Sequence, residues 1–111
     1  MTGLLYHLVG LSDWVASSDW PATPSHYAPP SLASEGFIHL SDADQVPTTA
    51  MRYYADVADL CLVTIRADRL TAEVKWEDLA GHGAFPHLYG PLNLDAVESV
   101  GPYGAGEPVN G

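Results

Sequence analysis

The sequence predicts an α+β domain in which several short strands and two or three short helices share one hydrophobic core. The chain has 111 residues, of which 47% are apolar and 16% charged, a balance typical of a globular protein. A chain of this size can build one core without disulfides or a structural metal. We therefore expect a single domain over residues 1–111, with residues 102–111 as a flexible tail.

The first third of the chain is predicted to form a strand, a brief helix and a long loop. Residues 4–9 are apolar and β-permissive and are followed by Gly10, which is typical of a strand. Ser12 is a suitable cap for a helix that begins at Asp13. Four prolines between residues 20 and 34 predict an irregular connection. A loop of this length either covers a functional site or is a packed connector.

Residues 37–41 predict a second strand. Alternation sends Phe37, His39 and Ser41 to one face of this strand, and it sends Ile38 and Leu40 to the other face. Two polar side chains, those of His39 and Ser41, therefore share a face.

A main helix is predicted from Pro47 to about residue 54. Pro47 suits a first helical turn, and Ser41 is a candidate cap for a preceding turn, with Asp44 three residues further on. The expected inner side of the helix consists of Val46, Ala50, Tyr53 and Tyr54.

Three more strands are predicted in the second half of the chain. Residues 59–65 form a nearly continuous apolar run, typical of a central strand that is covered on both faces. Residues 73–79 alternate, with Val74 and Trp76 on one side, and residues 96–100 form a closing strand. Between these two strands, glycines and Pro86 indicate a loop that carries His82 and His87.

The charge balance disfavours polyanionic partners. Fourteen acidic residues outnumber the basic residues Arg52, Arg66, Arg69 and Lys75, for a net charge of −10. Nucleic-acid binding depends on many lysine and arginine contacts to phosphates. We therefore expect a small-molecule ligand, no nucleic-acid or membrane partner, and a monomer or small homo-oligomer.

Cysteine usage and the first residues predict a cytoplasmic protein. The single cysteine, Cys61, lies in an apolar run and can form no internal disulfide. The first residues lack the basic and apolar segments of a signal peptide, and no apolar run approaches the ~18 residues of a membrane-spanning helix.

Three histidines are the candidate catalytic residues. His7 and His39 lie on two predicted strands, so that their rings can converge in one cleft. His87 and Tyr89 follow Pro86 on a loop bracketed by rigid and flexible residues. The alternatives are structural: His7 as a hydrogen-bonded core residue, and a turn in which Tyr89 packs while His87 caps a carbonyl group. We expect His7, His39 and His87 to line one cleft.

Four other side chains are candidate substrate-binding residues. Ser41 shares a face with His39, and Tyr89 accompanies His87. Arg52 and Glu77 would ordinarily be solvated surface charges. Arg52 is the basic residue best suited to meet an anionic ligand group if its helix borders the cleft.

No metal site is expected. Three imidazoles and a water can hold a catalytic zinc ion, but the chain has no His-x-x-x-His or Cys-x-x-Cys pair. It also lacks the Gly-x-Ser-x-Gly motif of a hydrolase nucleophile, and its cysteine is not in a reactive setting.

The chain is identified as a member of the family catalogued as domain of unknown function 952 by motifs along most of its length. These motifs are Leu5-Tyr6-His7, Ser31-Leu32, Glu35-Gly36-Phe37-Ile38-His39-Leu40-Ser41, Gln45, Lys75-Trp76-Glu77 and Phe85-Pro86-His87-Leu88-Tyr89-Gly90-Pro91-Leu92. The family resemblance implies no activity by itself.

Two segments also resemble the ADP-ribosyltransferase fold, namely Tyr6-His7 and Ile38-His39-Leu40-Ser41. The resemblance is greatest to the tRNA 2′-phosphotransferases, which carry Tyr-His-Gly-Thr in the first strand and His-Val-His-Leu-Ser in the second. This resemblance implies a split, mostly antiparallel sheet with an NAD-binding cleft. In that cleft His7 would hold the adenosine-side ribose and His39 would stand beside the nicotinamide ribose. Here Leu8-Val9 replaces Gly-Thr, and the arginines that bind RNA phosphate have no clear counterparts. RNA 2′-phosphate transfer is therefore disfavoured.

The leading hypothesis is an ADP-ribosyltransferase-like enzyme that acts on NAD or a related small molecule, with Tyr89 stacked on the nicotinamide. One alternative is a noncatalytic module that binds a nucleotide-like metabolite. Another is an enzyme that uses histidine acid–base chemistry on an unrelated small substrate.

Overall fold

A computed structural model describes residues 3–109 and confirms an α+β fold with antiparallel sheets and three short helices. The helices are α1 (Leu11–Ser17), α2 (Pro30–Glu35) and α3 (Val46–Tyr53). The strands are β1 (Leu4–Gly10), β2 (His26–Tyr27), β3 (Ile38–His39), β4 (Leu60–Arg66), β5 (Glu73–Glu77), β6 (Phe85–Tyr89), β7 (Leu92–Asn93) and β8 (Val97–Pro102). None of the helices in residues 3–109 has the length and hydropathy needed to span a membrane.

The strands form three small antiparallel sheets, ordered β1-β4-β8, β3-β6-β5 and β2-β7. The predicted central strand is confirmed, because β4 lies between β1 and β8 and its residues Val63 and Ile65 are fully buried. The first two sheets meet where Tyr6 and Ser41 exchange both backbone hydrogen bonds at 2.8 Å. This bridge places the end of β3 beside β1.

Two clusters of apolar side chains cover the two faces of β1. On one face, Leu5 and Val9 pack in a cluster with Tyr27 and Ile38. On the other face, Tyr6 and Leu8 pack in a cluster with Val46 and Ala50 from α3. The remaining members of this cluster are Leu60 and Tyr103. Because β-strand side chains alternate, His7 belongs to the face of Leu5 and Val9.

Helix α1 begins at Leu11, two residues earlier than predicted. The expected cap at Ser12 is wrong, because Ser12 lies within the helix and the N-cap position is Gly10, which has no side chain. Instead, Asp59 accepts the backbone N–H of Leu11 with its carbonyl and that of Ser12 with its carboxylate. A Cβ at Gly10 would lie 2.8 Å from the Asp59 carboxylate, so a larger residue there would displace the group that accepts the Ser12 N–H.

The proline-rich stretch is more ordered than predicted, since it contains β2 and α2. Pro30 occupies the first turn of α2, where its missing N–H would have no helical partner anyway. Gly36 ends the helix in the left-handed conformation, with φ of 89°, as is common at this position. The prolines therefore direct helix entry here instead of preventing a helix.

The structure differs from the prediction at the turn before α3 and on the inner side of the helix. Asp42 and Gln45 exchange backbone-to-side-chain hydrogen bonds of 2.9 and 3.0 Å, and this reciprocal pair replaces the predicted pair of Ser41 and Asp44. Val46 and Ala50 are buried as expected, whereas Tyr53 is 58% exposed.

His87 lies within strand β6, not on the predicted loop. The N–H and C=O of one residue point to the same side of an antiparallel strand. The Pro86 carbonyl accepts the Leu40 N–H at 3.0 Å, so the Pro86 nitrogen faces the end of β3. The β5–β6 ladder therefore loses no donor at the proline.

The end of the chain packs on the second cluster. Tyr103 is buried, its N–H donates to the Leu60 carbonyl at 3.0 Å, and its hydroxyl donates to the backbone carbonyl of Glu107. Val109 also packs against this cluster. These contacts lie in the segment predicted as a tail.

The ring of His7 joins three segments inside the core. Its Nδ1 lies 2.7 Å from the His39 carbonyl, and its Nε2 lies 2.7 Å from the Tyr27 hydroxyl. A carbonyl only accepts, so Nδ1 carries the proton and Nε2 accepts from the tyrosine. Burial lowers the pKa of His7 to about 4, which keeps the imidazole neutral at physiological pH.

We expect Tyr27→Phe to lower the free energy of unfolding by about 1–3 kcal/mol, because the buried Nε2 of His7 would lose its donor. Urea unfolding followed by fluorescence measures this change. Tyr53→Phe is the matched control, since this exposed hydroxyl makes no hydrogen bond within residues 3–109, and it should change stability by less than about 0.5 kcal/mol. Equal stability of the Tyr27 variant and the native chain would contradict the assigned bond.

We also expect stability to fall by about 2 kcal/mol as the pH drops from about 7.5 to about 5, because of His7 alone. Its pKa in the folded state, about 4, lies below the ordinary value of 6.5. As the pH falls, the unfolded chain therefore takes up a proton before the folded chain does. The contribution of the neutral His7 ring to the free energy of unfolding is complete well above pH 6.5 and declines below it. Urea unfolding at several pH values should show this decline in His82→Gln but not in His7→Gln.

If His7→Gln does not fold, NMR titration of the His7 ring in the native chain tests the same prediction. A midpoint near 6.5 would refute the neutral core histidine.

Candidate functional site

A cavity of about 530 Å³ lies between the β3-β6-β5 sheet, helix α3 and the segment after β5. Its apolar wall includes Leu8, Phe37, Leu40, Tyr54, Leu79 and Phe85. Its polar wall consists of Glu35, His39, Ser41, Thr49, Arg52, Glu77 and His82, together with His87. The cavity therefore combines a mostly apolar surface with a few polar groups, as small-molecule sites do.

His87 is held in this wall by strand pairing and by an aromatic ring. It lies opposite His39 in the β3–β6 ladder, and its side chain is only 5% exposed. The ring of Phe37 stacks on it, with a centroid distance of 4.1 Å and an interplanar angle of 19°. The imidazole therefore has little freedom to rotate.

Glu77 orients the His87 ring from the neighbouring strand β5. Its Oε1 lies 2.9 Å from Nδ1 of His87 and also accepts the Tyr89 hydroxyl at 2.6 Å. Both bonds lower the pKa of Glu77, and the bond from Tyr89 has the larger effect. The same bond raises the pKa of Tyr89. An ionised carboxylate only accepts, so Nδ1 of His87 carries a proton. In the neutral imidazole the lone pair is then on Nε2.

Nε2 of His87 is reachable from the cavity. It has no hydrogen-bond partner among residues 3–109. Every fully buried side-chain nitrogen or oxygen in that range does have a partner, so Nε2 of His87 is not fully buried. Because His87 lines the cavity, the accessible nitrogen opens into it. Such a nitrogen can accept a proton from a bound molecule or return one.

His39 lies beside His87 with a carboxylate of its own. The two ring centroids are 5.4 Å apart, with an interplanar angle of 78°. Nε2 of His39 pairs with the Glu35 carboxylate at 2.9 Å, and both side chains are about half exposed. The structure thus brings together two imidazoles, each paired with a carboxylate.

His7 does not join this pair, so of the three histidines expected to line one cleft only His39 and His87 line the cavity. Its ring packs against Tyr27 on the opposite face of β1 from Leu8, which lines the cavity. It bonds to the backbone of His39, while the His39 side chain projects into the cavity wall. Both nitrogens of His7 are occupied, because burying an imidazole requires that its polar atoms be satisfied.

The other predicted binding residues separate into two groups. Ser41, Arg52 and Glu77 lie on the cavity wall, whereas Tyr89 is behind Glu77 and does not line the cavity. His82 is exposed and also lines the wall. Within residues 3–109 no group of three side chains is arranged to hold a metal ion.

Three side chains that organise the site were not among the candidate site residues predicted from the sequence. Glu35 pairs with His39 four residues on, a spacing visible in the sequence but here spanning a helix end and a strand. Phe37 shares the His39 face of its strand, which alternation does predict. Gln45 ties α3 to the start of β6 by donating its side-chain N–H to the Ala84 carbonyl at 2.7 Å, and no sequence signal indicates that bond.

Comparison with known proteins places the chain in a family. The model of a protein family of unknown function, DUF952, matches residues 14–100. The crystal structure of protein CC0527 from Caulobacter crescentus has 30% identity and a TM-score of 0.75, covering 96% of this chain and 93% of that one. The solution NMR structure of CC0527 has 32% identity and a TM-score of 0.71, covering 92% and 84%. No curated protein matches the chain significantly. The chain therefore belongs to the DUF952 family of proteins of unknown function, as its motifs indicated.

Proposed function

We propose that the chain is an enzyme that binds a small organic molecule in the cavity and uses His87 as its general acid–base. The observation that supports this function best is the pairing of Glu77 with Nδ1 of His87 while Nε2 remains open to the cavity. A carboxylate that holds one imidazole nitrogen directs the lone pair of the other toward the substrate. It also stabilises the imidazolium that forms when the ring accepts a proton.

The surroundings of the pair suit this role. A cavity of about 530 Å³ falls within the range of roughly 300–1,000 Å³ that is usual for small-molecule sites. Phe37 stacks on the ring of His87, and other apolar side chains exclude water from its neighbourhood. Electrostatic interactions between the substrate and the pair are stronger in such surroundings than in water.

His39 supplies a second proton-transfer group in this proposal. Its ring is close to His87 but half exposed to solvent, so that it exchanges protons with water readily. One histidine can then remove a proton from the substrate while the other delivers one to a different atom of it. Glu35 holds His39 as Glu77 holds His87.

ADP-ribosyltransferase-like chemistry on NAD is the second candidate function. The observation that favours it is the position of His39, which belongs to the motif shared with that fold and lines the cavity. The ring of His7, the other shared histidine, makes its two hydrogen bonds inside the core. An NAD-dependent mechanism would therefore depend on His39 without direct contact to His7.

We expect diethyl pyrocarbonate to modify His87 faster than the core residue His7, because the reagent attacks an accessible, unprotonated imidazole nitrogen. Peptide mapping by mass spectrometry gives the rate at each histidine, and exposed His82 provides a reference. Glu77→Gln should slow modification of His87 by removing the negative charge that makes Nε2 more nucleophilic. The control Glu73→Gln, at an exposed position of the same strand, should leave the rate unchanged. A His87 rate as low as that of His7 would refute the proposed acid–base.

We expect NAD, if it is the substrate, to raise the melting temperature, because a ligand at ten times its Kd adds about 1.4 kcal/mol to the stability of the native state. For a domain of this size, each kcal/mol corresponds to about 4–8 °C. Thermal-shift measurements with NAD, ADP-ribose, nicotinamide and mononucleotides separate the ligand classes. No shift at millimolar NAD would exclude NAD chemistry. If NAD binds, loss of nicotinamide release in His39→Ala distinguishes catalysis from binding alone.

A further inference from the structure

Several hydrogen-bond donors on the cavity wall have no partner within residues 3–109. Among them are the hydroxyls of Ser41 and Thr49 and the guanidinium of Arg52. Ser41 is only 5% exposed, and no fully buried polar side-chain atom in the described range is unpaired. The small accessible surface of the Ser41 hydroxyl must therefore face the cavity that it lines.

The two carboxylates on the same wall each bond neighbouring side chains through one oxygen. Oε1 of Glu35 pairs with His39, and Oε1 of Glu77 accepts from both His87 and Tyr89. Neither carboxylate lies within ion-pair distance of Arg52. A guanidinium only donates hydrogen bonds, so a ligand that satisfies Arg52 must bring acceptors.

Arg52 is the one lysine or arginine of the described residues that lines the cavity. Among residues 3–109, Arg66 forms an ion pair with Glu98 at 2.9 Å, whereas Arg52, Arg69 and Lys75 have no carboxylate partner. The guanidinium of Arg52 is 5.9 Å from the ring centroid of Tyr53, and Nζ of Lys75 lies 4.7 Å from that of Tyr89. The positive charge of Arg52 is therefore not neutralised by a neighbouring carboxylate and is available to a molecule in the cavity.

Helix α3 carries two of these donors, Thr49 and Arg52. Val46 and Ala50 anchor the helix in the core, while Thr49, Arg52 and Tyr53 line the cavity. Residues three and four positions apart lie on the same helical face. A hydroxyl, a guanidinium and an aromatic ring therefore border one part of the cavity.

We propose that the ligand of this cavity is a small molecule with an oxyanionic group, a carboxylate or a phosphate, which Arg52 binds with the help of Thr49 and Ser41. A guanidinium matches the two oxygens of such a group with two parallel N–H bonds. The apolar part of the molecule packs on Phe37 and Leu79, next to His87. This inference rests on the proposed function, because it names the class of substrate that the acid–base site would receive.

Benzoate and benzamide test the inference, because they have nearly the same shape and differ in the anionic group. NMR titration of the native chain should show benzoate binding at least about tenfold more tightly than benzamide. Arg52→Gln should remove this preference, Arg52→Lys should keep part of it, and the control Arg69→Gln should keep it all. Phenyl phosphate, titrated in parallel, shows which of the two oxyanions binds more tightly.

Equal binding of benzoate and benzamide, or binding of neither, would overturn the anionic ligand. So would a preference for benzoate that persists in Arg52→Gln. Modification of His87 by diethyl pyrocarbonate, measured in the same variant, separates this outcome from failure of the proposed function. If His87 stays reactive while the preference for benzoate is missing, only the ligand class is wrong. If His87 is unreactive in the native chain, the acid–base function itself fails.

Discussion

The neutral ring of His7 is the interaction on which the rest of the structure depends. Strand β1 lies between two apolar clusters, and a charged imidazole in that position would be strongly destabilising. The ring is accommodated because Tyr27 donates to one nitrogen and the His39 carbonyl accepts from the other. These two bonds connect strands β1, β2 and β3, which belong to three different sheets. The backbone of β3 is thereby held against β1, and the side chain of His39 is directed to the other side.

The three histidines show how environment determines the chemistry available to one residue type. His7 has both nitrogens bonded inside the core and no nitrogen left for a ligand. His87 is at least as buried, but only one of its nitrogens is bonded, so the other is available to a molecule in the cavity. The side chain of His39 is half exposed, so that its ring is accessible to solvent. A site that combines a sheltered and an exposed imidazole can separate proton transfer to substrate from proton exchange with water.

The position of Glu77 depends on the antiparallel pairing of β5 with β6. Glu77 lies opposite Phe85, so that its carboxylate reaches two residues along β6 to His87 and four residues along to Tyr89. All three side chains project from the same face of the sheet, because positions two apart on a strand share a face. A shift of one residue in this register would move His87 to the face where Leu88 is now buried. The pairing of β5 with β6 is thus as important to the site as the identity of the residues.

The sequence by itself determined the α+β class, the central apolar strand, the buried side of helix α3 at Val46 and Ala50, and membership of the family. These features follow from local patterns of apolar residues and from motifs that are contiguous in the chain. It also indicated that His39 and Ser41 share a face, because alternation along one strand is a local property. The split arrangement of antiparallel strands was expected only through resemblance to another fold.

Only the tertiary structure decided which histidines meet. Alternation places His7 beside Leu5 and Val9, but it does not say which face of β1 the cavity adjoins, and that depends on where α3 packs. The loop predicted around His87 is instead a strand, which tolerates Pro86 because the proline nitrogen points toward the end of β3 and not into the β5–β6 ladder. The pairing of Glu77 with His87 and the exposure of Arg52 to the cavity likewise depend on contacts between distant segments. Local patterns carry no information about such contacts, because packing and hydrogen bonding between elements determine them.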